Sequence, residues 1–110
     1  DKLQEALNYI NEHFLENLSL EEVSAKLFMG ESRFRHLFKE TMNMGFKEHL
    51  TYLRLSEAKK LLIYSDLSIR EIATNCSFTN LSQFYKIFNK YVYMSPAEYR
   101  KNKKANTESD

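Results

Sequence analysis

Leu67-Ser68-Ile69-Arg70-Glu71-Ile72-Ala73, followed by Phe84, Ile87 and Phe88, repeats an earlier stretch of the same chain. The earlier copy is Leu18-Ser19-Leu20-Glu21-Glu22-Val23-Ser24, followed by Phe34, Leu37 and Phe38. The first halves correspond at a spacing of 49 residues and the second halves at 50. One residue has therefore been inserted between them. A turn absorbs such an insertion, whereas in a helix interior it would rotate the apolar face out of register. Each copy accordingly reads as helix, turn, helix. Ser19 with Glu22, and Ser68 with Glu71, have the spacing of a capping box, in which each side chain satisfies a free backbone N–H. Two such units in one short chain point to a protein that puts two helices into DNA grooves.

Working outward, Leu3, Ala6, Leu7, Ile10 and Phe14 recur at helical spacing and predict a first helix over residues 3–17. The second helix starts at Ser19 and turns Val23 and Leu27 inward, with Gly30 in the turn that follows. The third runs from Glu31 to about Thr41, where Asn43 can take the left-handed conformation that ends it. A long helix is expected over residues 46–64, with Leu50, Leu53, Glu57, Leu61 and Tyr64 along one stripe, widened by Leu55, Ala58 and Leu62. So wide an apolar arc must pack on both sides, between the two copies. The fifth helix runs from Ser68 to about Cys76, and Asn80 with Gln83 starts a sixth that reaches about Tyr91. Ser95-Pro96-Ala97-Glu98 is a strong start signal for a seventh, which fades near Lys104. The polar stretch Ala105 to Asp110 is expected to be disordered. The reading is an all-α domain over residues 1–104, with lobe one at 3–42, a linker helix at 46–64 and lobe two at 67–104.

Composition agrees. Two Gly and one Pro in 110 residues favour long helices and short turns, and no alternating strand pattern is present. A single cysteine excludes an intramolecular disulfide, and no Cys/His cluster marks a metal site. Cys76 falls at an apolar position and reads as a buried thiol. With no signal peptide and no membrane-length apolar run, the chain fits a reducing cytoplasm. It begins at Asp1, which suggests a piece of something longer. Net charge is only +1, but residues 1–31 carry seven acids and two bases, and residues 32–110 carry fourteen bases and eight acids. His13, His36 and His49 are scattered, with no nucleophile–base spacing and no phosphate-binding glycine loop, so no enzyme and no cofactor is implied. His49 reads as a structural residue.

At 100° per residue, with Phe34 at zero, Leu37 and Phe38 set the core direction of the third helix. Ser32 (about 160°), Lys39 (about 140°), His36 (about 200°) and Arg35 (about 100°) then face away from it. In the sixth helix Phe84, Ile87 and Phe88 face the core, and Ser82, Tyr85, Lys86 and Asn89 take the matching outward positions, flanked by Gln83 and Lys90. Such side chains can donate or accept at base edges or phosphates: Arg forks onto guanine, Gln pairs with adenine, and Lys suits guanine or phosphate.

At this point the chain resembles the DNA-binding domain of AraC/XylS-type transcription activators, over about Leu7 to Arg100. The residues that carry the resemblance are Ile69-x-Glu71-Ile72-Ala73, Phe78, Ser82, Phe84, Phe88, Lys90, Pro96 and Tyr99-Arg100, together with Arg54-Leu55-x-x-Ala58-x-x-Leu61-Leu62 on the long helix. The resemblance implies two helix-turn-helix lobes whose recognition helices, about 31–41 and 80–91, occupy successive major-groove segments of double-stranded DNA. It implies base reading by Ser32, Arg33, Arg35 and His36 in the first lobe and by Leu81, Ser82, Gln83 and Lys86 in the second. Leu81 rests on the resemblance alone, as an apolar contact to a thymine methyl. Lys39, Tyr85, Asn89 and Lys90 would flank the bases or meet phosphates. The helix N-termini at Ser19 and Ser68 would offer backbone N–H groups to phosphate. The family also implies a regulatory domain absent from these residues. Phe28, Ser77 and Tyr93 depart from the pattern, standing where the family usually has glycine.

A second reading is a protein-interaction module that docks through the acidic first 31 residues. It is compatible with DNA binding, as a contact to RNA polymerase or to the missing domain. No membrane partner is implied.

Overall fold

The serines and asparagines that precede apolar runs become helix starts because each supplies an oxygen to an unpaired first-turn N–H. The computed structural model describes the backbone of residues 1–109 and the side chains of residues 1–106. The helices are α1 (Lys2–His13), α2 (Leu20–Lys26), α3 (Glu31–Met42), α4 (Phe46–Tyr64), α5 (Ile69–Asn75), α6 (Leu81–Val92) and α7 (Pro96–Ser109), with no strand among the described residues. Ser68 and Glu71 form the reciprocal capping box. Ser95 and Glu98 do the same at the start of α7. Ser19 accepts from the Glu22 N–H, but the Glu22 carboxylate turns away to accept from the Tyr9 hydroxyl at 3.1 Å. Only half of the expected first box is therefore used.

Two boundaries and one buried face differ from the sequence expectation. α1 stops at His13 rather than residue 17. In a continuing helix the Leu18 N–H would bond to the Phe14 carbonyl. Instead it bonds to Glu16 O at 2.8 Å, and the Arg54 guanidinium takes the carbonyls of Phe14 and Glu16 at 2.8 and 2.9 Å. A half-buried cation on free carbonyls replaces the last helical turn. At the other end, α7 continues past Lys104 through Ala105–Ser109. Lys104 itself bonds to Ser65 O at 3.2 Å and Asp66 at 3.1 Å. Asp110, the end of the expected tail, lies outside the described residues.

The third difference concerns α4. Its contacts divide with the chain into two compact units, Asp1–Arg54 and Leu55–Asp110. The single wide stripe expected for it is two stripes used in turn. Phe46, His49 and Leu50 are buried in the first half, and Leu55, Ala58 and Leu62 in the second. These sets are roughly 160° apart around the helix axis. Tyr64, expected on the stripe, is 79% exposed.

Each unit closes its own core. In unit one Ala6 and Ile10 of α1, Val23 and Leu27, Phe34 and Phe38 of α3, and Phe46 and Leu50 of α4 pack together. In unit two Leu55, Ala58 and Leu62 meet Ile72, Ala73, Cys76, Phe84 and Phe88. Each Phe so enclosed contributes about 1.5–3 kcal/mol of transfer free energy. The repeat extends to ring contacts: Phe38 meets His49 edge-on at 5.4 Å, and Phe88 meets Tyr99 edge-on at 5.6 Å. His49 and Tyr99 are again 50 residues apart.

Candidate nucleic-acid interface

The turn between α2 and α3 spans four residues, Leu27 to Gly30, and that between α5 and α6 spans five, Cys76 to Asn80. This is the inserted residue, located in the loop as the spacing requires. Both turns begin with the same backbone device. Phe28 N–H bonds to Ala25 O and Met29 N–H to Ser24 O; Ser77 N–H bonds to Thr74 O and Phe78 N–H to Ala73 O. This paired pattern ends a helix with one left-handed residue. Phe28 (φ 57°) and Ser77 (φ 65°) are those residues; Asn43 (φ 58°) and Tyr93 (φ 64°) are also left-handed, but each ends its helix with a single N–H bond, to Lys39 O and Asn89 O. The positions without the expected glycine thus keep the glycine conformation, at a cost of about 1–2 kcal/mol for each side chain that crowds its own carbonyl. Phe28 and Tyr93 point into solvent, 92% and 88% exposed.

The insertion changes the start of the second recognition helix. Asn80 reaches the N-cap position and accepts from the Gln83 N–H at 2.7 Å. Gly30, at the N-cap of α3, has no side chain to do so.

Behind each helix a pair of rings, Phe34 with Phe38 and Phe84 with Phe88, is fully buried. With that face sealed, the opposite face must be outward. Ser32, Arg33, Arg35, His36 and Lys39 on α3 are exposed, as are Ser82, Gln83, Tyr85, Lys86, Asn89 and Lys90 on α6. Leu81 is only half out: part of it packs on the second core. Ser32, Arg35, His36 and Lys39 share one shallow depression with Glu40. Ser19 and Ser68 are exposed, each with its hydroxyl engaged as a cap.

Two charged residues in these regions escaped the sequence reading. Glu40 lies one turn beyond His36, with its carboxylate 3.1 Å from Nε2; the i, i+4 spacing was the available signal. Arg70 is an exposed cation in the first turn of α5, at the register position that Glu21 holds in α2. Unit one carries seven Lys and Arg against nine Asp and Glu, and unit two carries nine against six. The outward face of α6 has two lysines and no acid.

The Cys76 thiol is buried and pushed up to about 12, chiefly by burial, with Glu57 adding to it. A thiol so held gives almost no nucleophilic thiolate at neutral pH. Among the described residues no group of three or more His, Cys, Asp or Glu is placed to hold a metal ion. No helix among them is long and apolar enough to cross a membrane.

Comparison with known proteins places this geometry in context. A helix-turn-helix domain family matches residues 23–102. The uncharacterized HTH-type transcriptional regulator YijO of Escherichia coli K12 is 36% identical over 94 residues, which is 86% of this chain and 33% of that protein. The regulatory protein PocR of Salmonella typhimurium is 35% identical over 99 residues, 90% of this chain and 33% of PocR. The chain therefore spans about a third of the length of these relatives. Among solved structures, the DNA-binding domain of the global transcriptional factor AdpA, in complex with a target DNA, superposes with a TM-score of 0.92 at 27% identity. It covers 100% of this chain and 99% of that one.

Proposed function

The chain belongs to the AraC-type helix-turn-helix family of transcriptional regulators, and from that premise we propose how it holds its operator. It is a domain that binds duplex DNA sequence-specifically for transcription regulation. α3 and α6 enter successive major-groove segments, one helical turn or about 34 Å apart. Arg33 and Arg35 fork onto guanine, Gln83 pairs with adenine, Ser32, His36 and Ser82 read neighbouring edges, and Lys86 takes guanine or phosphate. The outward part of Leu81 meets a thymine methyl. Lys39, Tyr85, Asn89 and Lys90 hold the backbone on either side. Of the two shorter helices, α5 suits phosphate better. Arg70 offsets Glu71 in that turn, whereas Glu21 and Glu22 leave the same turn of α2 with two acids.

The observation that carries this reading is the repeated outward face: two exposed polar sets at one register, each backed by a fully buried Phe pair. The likeness to a domain solved on its target DNA supports it. The domain acts by binding rather than catalysis, in the cytoplasm. The full-length protein adds an N-terminal regulatory domain, and the acidic surfaces of α1 and α2 meet that domain or RNA polymerase.

Selection from randomised duplexes at near-physiological salt tests the proposal. Enrichment of two short motifs about one helical turn apart supports two reading helices. One enriched motif reduces the second helix to a backbone contact. No enrichment, with binding lost as salt rises, reduces the domain to non-specific attraction.

A further inference from the structure

The slot behind each recognition helix is filled by an aromatic ring from the helix that follows. In unit two it is Tyr99 of α7, against Phe88 of α6. In unit one it is His49 of α4, against Phe38 of α3. His49 is 8% exposed, and its Nε2 is a buried nitrogen with no hydrogen-bond partner. The same position thus holds a ring that stays neutral in one unit and a ring that can acquire a charge in the other. We propose that His49 is a proton-sensitive positioning residue: uncharged, it seats Phe38 and with it α3, and on acidification its protonation loosens unit one selectively while unit two is unaffected. This rests on the DNA-binding reading only for its consequence; the structural effect stands apart from it.

Among the described residues no ion pair involves His49. From α3 the imidazole meets the Phe38 ring, and on α4 it meets the ring of Tyr52 at 6.5 Å, the one titratable group in ring contact with it among the described residues. Its backbone N–H is committed to Gly45 O. The charged side chains of the two helices, Arg35, Lys39 and Glu40 on α3 and Lys47 and Glu48 on α4, are exposed. Burial alone accounts for the low proton affinity of the ring, below the ordinary 6.5. The sign follows. A histidine with a depressed folded-state pKa takes up its proton more readily when unfolded, so its contribution is full above about 6.5 and is lost as pH falls below that value. Unit two has no matching weakness in this window. Glu71 and Glu98 lie below the ordinary 4.5, held there by hydrogen bonds from Ser68 and Ser95. Burial raises the Tyr99 hydroxyl above 10.0, so it remains neutral.

The test is site-resolved amide exchange of the whole domain at pH 7.5 and 5.5, corrected for intrinsic rates. Protection at Phe34 to Phe38 is expected to fall on acidification, by at most about tenfold, and protection at Phe84 to Phe88 to hold. His49→Tyr, which installs the residue of unit two, should remove the difference. If that variant does not fold, His49→Gln makes the same comparison with a side chain that stays neutral. His13→Gln and His36→Gln should leave the acid loss intact. Equal loss in both units, no loss in the wild type, or a loss that survives removal of His49 overturns the proposal. Footprinting at the two pH values then reads the consequence: protection of the half-site under α3 should disappear first. A footprint lost from both halves together, with α3-specific exchange retained, would count against the DNA-binding geometry and not against His49.

Discussion

Unit one has nine acidic residues to seven Lys and Arg, unit two six to nine, yet the two share a backbone plan nearly residue for residue. Both end the first helix of the motif with the same pair of turn bonds. Both seal the second helix with a Phe pair and an edge-on ring. Both use a cation on free carbonyls: Arg54 on Phe14 and Glu16 in unit one, and Arg100 on Leu62 at 2.9 Å in unit two, joined by Lys104 on Ser65. The fold therefore constrains apolar, capping and carbonyl-binding positions. It leaves the exposed charges free, because a surface charge contributes little to stability. Glu21 against Arg70, and Glu40 against Lys90, are exposed differences that cost the fold little, and a DNA backbone is expected to distinguish them.

The largest effect that could break this comparison is the loss of a core ring. Phe38→Ala and Phe88→Ala should each cost roughly 3–5 kcal/mol. Denaturation followed by amide exchange should show the damage confined to the unit that lost the ring. Equal loss in both would mean that the units fold as one. The charge asymmetry comes next. Lys86→Ala should weaken specific DNA binding by about 1–3 kcal/mol if it reads a base. If it meets phosphate, the log–log salt slope should shrink by about 1 and all sequences should weaken alike. Glu40→Lys, which copies unit two into unit one, should steepen that slope. An unchanged affinity, specificity and slope would remove either residue from the interface.

Smaller effects sharpen the backbone half of the comparison. Phe28→Gly and Tyr93→Gly relieve side chains held at φ 57° and 64° and should stabilise the domain by about 1 kcal/mol each, read as a shift of the urea midpoint. Destabilisation would mean that these exposed rings make contacts that outweigh their strain. Gly30→Asn gives α3 the N-cap that α6 already has, and should add a few tenths of a kcal/mol by the same measurement. A decrease would indicate that the shorter turn cannot orient the new side chain.

Much of this was legible in the sequence, for reasons that differ by position. Caps and apolar spacing are local, so the starts of α2 through α7 could be read directly, and the one-residue insertion could be assigned to a turn. Outward faces follow from helical geometry once the Phe pairs are set inward, and the exposure of Arg35, His36, Ser82 and Lys86 agrees. Leu81 came from resemblance alone, and its packing on the second core shows why angles did not select it. The end of α1 was illegible because it depends on Arg54, 40 residues away, taking the Phe14 carbonyl. That α4 packs on more than one side was legible from the width of its apolar arc, but its division into two successive stripes was not, because the two read together as one broad stripe. The pairing of His49 with Tyr99 was available from the 50-residue register, but only after Phe38 and Phe88 had been recognised as equivalent.

The longer turn before α6 also sets the unit of exchange. A recognition helix moved between the two halves, to make a domain that reads one half-site twice, cannot be cut at its first helical residue. Residues taken from Leu81 onward and placed after Gly30 would lose the Asn80 oxygen that closes their first turn. Placed with Asn80 in the position of Gly30, they keep Phe84 and Phe88 where Phe34 and Phe38 belong, but they lose the fifth turn residue that precedes the cap in unit two. The portable piece is turn plus helix, from the left-handed residue at one end to the left-handed residue at the other: Ser77 through Tyr93 for Phe28 through Asn43. Recombination within such a gene, or by a designer, keeps every cap and turn bond of the transferred half when cut at those joints.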